Sequence, residues 1–157
     1  LYKGKSKSDN IFSYKDGSEL IKVSNVDVNT YLKNITKENM LPSNKSNNIK
    51  ITTKVFRTWL ANVKFVDKMY NLRKELQDNP NKRKALITDI KREVAKEMHH
   101  TMAICSKSYL IKEVVEMSLT DYSKYKQIIE KNYKKYKGMT CAENALVKYL
   151  QNGCIKK

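Results

Sequence analysis

The sequence predicts a mainly α-helical protein of the α+β class, with a small β-hairpin at its start. Most of the chain after Thr53 repeats apolar residues at the spacing of amphipathic helices. The first fourteen residues instead place β-forming residues on both sides of a polar, glycine-containing break, which is the pattern of a hairpin. The chain has 157 residues, the length of one ordinary domain, so we expect a single domain over residues 1–157.

Local signals place the individual elements. Asp27 stands where it can cap a short helix, and a long helix with a broad apolar stripe begins at Thr52 or Thr53 and ends at Asn79-Pro80. Gly138 and Gly153 mark further helix ends. The predicted strands are residues 1–3 and 10–14 around a turn at 4–9, the predicted loop is 41–48, and the other predicted helices are 27–35, 82–98, 106–117, 120–133 and 141–150.

Charge and cysteine usage limit the class of protein. Thirty-two Lys and Arg residues against 16 Asp and Glu give a formal charge of +16, which favours a nucleic-acid partner. The richness in lysine and asparagine is also typical of AT-rich coding sequence, whatever the protein does. The cysteines are odd in number and form no Cys-x-x-Cys pair, and no apolar run is long enough to cross a bilayer. We therefore expect an intracellular protein without a membrane partner.

Several common catalytic motifs are absent. The sequence has no phosphate-binding glycine loop, no dinucleotide-binding turn and no His-Glu-x-x-His pair. His99 and His100 are adjacent, so on a helix they point about 100° apart and do not converge on a metal. Residues 131–137 mix lysines and tyrosines, a pattern typical both of nucleic-acid binders and of a solvated helix end.

Two segments carry the chemistry: Lys-Val-Phe-Arg-Thr-Trp at residues 54–59, and residues 99–109, which include His-Thr and end in Ser-Lys-Ser-Tyr. They resemble the type IB DNA topoisomerases, in which Lys-x-x-Arg-Thr-aromatic precedes His-Thr and Ser-Lys-x-Tyr. The nine-residue step from His100 to Tyr109, and the roughly forty residues from Arg57 to His100, resemble the short viral and bacterial, poxvirus-like form. This resemblance implies the helical catalytic domain that type IB topoisomerases share with tyrosine recombinases.

The resemblance also implies roles for individual residues. Tyr109 is the nucleophile, which attacks a DNA phosphodiester, while Arg57 and His100 stabilise the charge that develops on the non-bridging oxygens. Thr101, the threonine of the His-Thr pair, favours His100 over His99 for this role. Lys5, in a Gly-Lys turn like that of the family, is the general acid that protonates the 5′-oxygen leaving group. Lys54, Asn62 and Lys107 match DNA-binding positions.

The activity implied is relaxation of supercoiled double-stranded DNA through a 3′-phosphotyrosyl intermediate and religation, without ATP or an obligatory metal. Binding is expected to be mostly to phosphates and therefore strongly weakened by salt. The resemblance implies a monomer that works in the nucleus, the virion or a viral replication site. The lysine and asparagine bias suits the AT-rich genome of a large DNA virus.

The chain departs from the family pattern at several positions. The family has a further catalytic arginine upstream of the lysine turn, whereas every arginine of this sequence follows Lys5. We expect the chain to be a C-terminal fragment that lacks the DNA-clamp domain and the start of the catalytic domain, or to be completed by a second chain. Such a fragment relaxes DNA weakly or not at all. Met102 replaces the usual proline after His-Thr, and Ser6 stands where an acid is common.

Two alternatives stay open. Tyrosine recombinases share the fold and mechanism, but they usually carry His-x-x-Arg where this chain has Lys54-x-x-Arg57, and glycine where it has His99. A basic DNA-binding module without enzymatic activity predicts that Tyr109→Phe behaves like the wild type on DNA.

Overall fold

The computed structural model describes residues 12–38 and 51–153. The chain divides into two compact units, Leu1–Val55 and Phe56–Lys157. The described part is mainly α-helical with one small antiparallel hairpin, which confirms the predicted fold class. Its elements are β1 (Ser13–Asp16), β2 (Glu19–Lys22), α1 (Asn25–Glu38), α2 (Thr53–Asn71), α3 (Arg73–Asp78), a 3-10 turn (Pro80–Lys82), α4 (Arg83–Glu97), α5 (Met102–Ser108), α6 (Lys112–Thr120), α7 (Tyr122–Asn132) and α8 (Cys141–Gly153).

The hairpin of the first unit forms around Gly17. Strands β1 and β2 pair antiparallel, with Ser13 opposite Lys22 and Asp16 opposite Glu19. Gly17 has a φ of 59°, a left-handed conformation that glycine adopts without steric cost in a two-residue hairpin turn. The strand predicted at residues 10–14 thus only partly coincides with β1. Its predicted partner strand and the predicted turn lie outside the described residues.

Helix α1 begins two residues earlier than expected, because Ser24 rather than Asp27 is the cap. The Ser24 backbone N–H and hydroxyl donate to the Asp27 carboxylate at 2.8 and 2.7 Å, and the Asp27 N–H donates back to the Ser24 hydroxyl at 3.3 Å. This is a capping box, in which the residue three positions into the helix closes the pair. These hydrogen bonds lower the pKa of Asp27.

The second unit contains one core built from the apolar faces of its helices. Helix α2 buries its apolar stripe on successive turns at Ala61, Phe65 and Met69. Helices α7 and α8 pack two fully buried tyrosines, Tyr125 and Tyr149, against each other. On the exposed side, Lys64 and Lys68 of α2 bind Glu97 of α4. The two lysines lower the pKa of Glu97. These ion pairs connect α2 with α4.

Two predicted helices are each divided in the structure. The long helix from Thr53 ends at Asn71, and α3 starts after a break at Leu72, where Arg73 donates to the Tyr70 carbonyl at 2.8 Å. The helix predicted over residues 106–117 is wrong, since α5 ends at Ser108 and α6 begins at Lys112. The apolar residues keep their helical spacing across both breaks, so the sequence pattern did not indicate where either helix is interrupted. No helix in the described ranges is long and apolar enough to cross a bilayer.

Candidate active site

The chain turns sharply at the end of α4. The His99 N–H donates to the Lys96 carbonyl at 3.1 Å, and the His100 N–H donates to the Ala95 carbonyl at 2.9 Å. This pair of hydrogen bonds is a Schellman motif, and it places His99 in the left-handed region with a φ of 55°. His99 is therefore exposed at the turn, and His100 follows it half-buried. The structure gives the two adjacent histidines different surroundings.

Helix α5 lies between His100 and Tyr109. The Thr101 side chain caps its start by accepting from the Ile104 N–H at 3.3 Å. At its end, the N–H groups of Tyr109 and Leu110 both donate to the carbonyl of the buried Cys105 at 3.0 Å. Tyr109 is thus the residue at which α5 stops, and it is half-buried.

Three predicted site residues come together in the second unit. Arg57 Nη1 lies 2.7 Å from His100 Nε2. The rings of His100 and Tyr109 stack with centroids 4.7 Å apart and planes 11° from parallel. Arg57 comes from the second turn of α2, and the other two residues flank α5. The His100 imidazole therefore contacts both a guanidinium and a phenol ring, and the catalytic roles of the three residues stay predictions.

The electrostatics of this cluster suit an anion. A guanidinium has only donors, so His100 Nε2 accepts from Arg57 and the imidazole proton lies on Nδ1 in this arrangement. Arg57 is exposed, and within residues 12–38 and 51–153 it has no ion pair with a carboxylate. A phosphodiester can take the position opposite the guanidinium, which offers two parallel N–H donors to its oxygens.

Asn62 lies beneath this cluster and has no exposed surface. Its Nδ2 donates to the carbonyls of Thr58 and Tyr109 at 2.7 and 2.8 Å, and its Oδ1 accepts from the Ile111 N–H at 2.9 Å. The prediction of a DNA contact for Asn62 does not fit this geometry, because both amide hydrogens are donated within the protein. Its place on the apolar stripe of α2 was the available sequence signal for a buried polar role.

The structure gives less information on the three predicted lysines. Lys107 is exposed in the last turn of α5, two residues before Tyr109, and makes no ion pair with the other described residues. Lys54 is exposed in the first turn of α2. Lys5 lies outside the described residues. The positions of the two exposed lysines permit contact with a polyanion, and the roles of all three stay predictions.

No group of His, Cys, Asp and Glu side chains suited to a metal occurs in the part of the chain that the structure describes. A cleft of about 450 Å³ lies elsewhere, and its lining includes Lys64, Asp67, Glu97, Lys135 and Cys141. None of Arg57, His100 and Tyr109 lines it. The open cluster at Tyr109 suits a large polyanion better than an enclosed small molecule.

The described part of the chain is thus mainly helical, with a tyrosine beside a histidine and an arginine on its second unit. The sequence model of the family described as eukaryotic DNA topoisomerase I, catalytic core, matches residues 1–139, and the chain belongs to this family. It is a DNA topoisomerase of type IB, an isomerase whose substrate is DNA and whose family requires neither ATP nor a metal. No curated protein and no solved structure matched the chain.

Proposed function

We propose that this chain changes the topology of double-stranded DNA by cutting and resealing one strand, with Tyr109 as the nucleophile. The observation that carries the proposal is the stacking of Tyr109 on His100, whose Nε2 is 2.7 Å from the Arg57 guanidinium. Forty-three positions separate Arg57 from His100, so tertiary packing alone brings them together. The family match favours a topoisomerase over a recombinase.

In the proposed step, the Tyr109 oxygen bonds to phosphorus while the bond from phosphorus to the 5′ oxygen breaks. The phenol proton goes to solvent, and Lys5 gives a proton to the departing oxygen. Arg57 neutralises charge on the non-bridging oxygens. Once the phosphate has displaced the guanidinium from Nε2, the imidazole takes up a solvent proton at Nε2 and releases its Nδ1 proton to solvent, so that the Nε2–H donates to one of these oxygens. Religation reverses these steps, and rotation of the free end in between relaxes supercoils of either sign.

The length of the chain segment between Arg57 and His100 also supports the short, poxvirus-like form. The family match supports the assignment as a type IB topoisomerase, and the spacing supports the proposal of the short form. The protein is proposed to act as a monomer on duplex DNA.

A covalent-trapping experiment tests the nucleophile. The substrate is a DNA duplex with one 5′-bridging sulfur. The flanking DNA sequence is randomised, because the amino-acid sequence does not specify which DNA sequence is cleaved. Sulfur leaves without protonation, so cleavage of this substrate depends on Tyr109, Arg57 and His100 but not on a proton from Lys5. We expect a denaturant-resistant adduct with the wild type, and none with Tyr109→Phe.

Tyr136→Phe is the matched control, because Tyr136 is an exposed tyrosine outside the cluster. It is expected to form the adduct at the wild-type rate. An adduct that persists in Tyr109→Phe would show that another residue is the nucleophile. DNA binding without any adduct in the wild type would instead support a non-enzymatic DNA-binding module.

A further inference from the structure

We infer that Asn62 is a positioning residue, which holds the backbone at Tyr109 in the geometry that the attack on DNA requires. The inference rests on the proposed function of Tyr109. It replaces the expected DNA contact of Asn62 with a role inside the protein. The one amide group fixes the backbone on both sides of Leu110, through the Tyr109 carbonyl and the Ile111 N–H.

The local backbone explains why such a clamp is needed. Tyr109 directly follows α5, with φ of −126° and ψ of −33°, and Ile111 directly precedes α6, with φ of −72° and ψ of 119°. Among the three residues between the two helices, the Tyr109 N–H still completes an i→i−4 hydrogen bond to Cys105, but the Tyr109 carbonyl and the Ile111 N–H bond to the Asn62 side chain. A seven-residue helix such as α5 has little stability of its own, so its end frays unless tertiary contacts hold it.

Asn62 links this junction to the helix that carries Arg57. Its third hydrogen bond goes to the carbonyl of Thr58, the residue next to Arg57 on α2. The same side chain thus connects the backbone next to the guanidinium with the backbone of the tyrosine. Because the side chain is fully buried and accepts and donates within the protein, it acts through Tyr109 and not on DNA.

The catalytic consequence follows from the sensitivity of such reactions to geometry. Displacement of a reacting group by about 1 Å costs on the order of 100-fold in rate. Asn62→Ala removes all three hydrogen bonds and leaves the Tyr109 carbonyl and Ile111 N–H to find other partners. We expect the rate of adduct formation at saturating enzyme to fall about 100-fold. The dissociation constant for DNA stays within about threefold, since no DNA contact is lost.

Asn144→Ala is the matched control. Asn144 is also a buried asparagine, and its Nδ2 donates to the carbonyls of Asn132 and Lys134 at 2.8 and 3.1 Å. Both alanine variants lose a buried amide clamp, so both are expected to lower the melting temperature. Only Asn62→Ala is expected to slow adduct formation, measured well below the melting temperature of each variant.

Hydrogen exchange at the Ile111 amide provides a second readout that does not depend on DNA. We expect Asn62→Ala to accelerate exchange there and Asn144→Ala to leave it unchanged. Wild-type rates of adduct formation in Asn62→Ala, or an equal slowing in Asn144→Ala, would overturn the positioning role while the proposed function stands. Faster exchange in Asn62→Ala combined with no adduct in the wild type would overturn the proposed function instead.

Discussion

At the scale of single residues, His99 and His100 are neighbours with different physical roles. His99 occupies the left-handed position that ends α4, where a side chain with a Cβ is strained and glycine is not. His100 contacts both Arg57 and Tyr109 through its ring. The turn at His99 therefore directs the next residue into the cluster.

This difference predicts opposite outcomes for the two substitutions. His99→Gly is expected to raise the free energy of unfolding by up to about 1 kcal/mol, because it removes the strain of a positive φ, and to leave adduct formation unchanged. His100→Ala is expected to slow adduct formation by about 100-fold or more, because it removes the proposed donor to the transferring phosphate. Denaturant unfolding and the trapping assay measure the two effects. Slower adduct formation in His99→Gly, with His100→Ala unaffected, would reverse the assignment.

At the scale of elements, α5 is the short spacer that joins the candidate histidine to the candidate nucleophile. It is capped by Thr101 at its start and anchored at its end by the buried Cys105 carbonyl and by Asn62. Because seven residues form only about two turns, both ends matter to its stability.

The cap gives a prediction for this helix. Thr101→Ala is expected to lower the free energy of unfolding by about 1 kcal/mol, because the Ile104 N–H loses its acceptor. Thr101→Ser keeps a hydroxyl at the same place and is expected to stay close to the wild type. Chemical denaturation of the three proteins measures the difference. Equal stability of the alanine and serine variants would contradict a capping role.

At the scale of the whole molecule, the number and positions of the arginines bear on the activity expected of this chain. Arg57, Arg73, Arg83 and Arg92 are the complete set, and all follow Lys5, whereas the family resemblance implies a further arginine upstream of that lysine. We expect the 157-residue chain to relax supercoiled plasmid slowly while still forming an adduct on the 5′-sulfur substrate. Plasmid relaxation assays over a range of enzyme concentrations measure this. Rapid relaxation would contradict the expectation that the reaction needs a further arginine upstream of Lys5.

The sequence by itself determined the helical class, most helix positions and the spacing of Arg57, His100 and Tyr109, because helical periodicity and chain spacing are local properties. Only the tertiary structure decided that α5 ends at Ser108, directly before Tyr109, and that Asn62 is buried beneath this junction. The Asn62–Ile111 hydrogen bond joins residues 49 positions apart, so no local pattern contains it. In a sequence, a polar residue on a helix is compatible either with a ligand contact or with a buried hydrogen bond. Only the packing around the residue shows which of these roles it has.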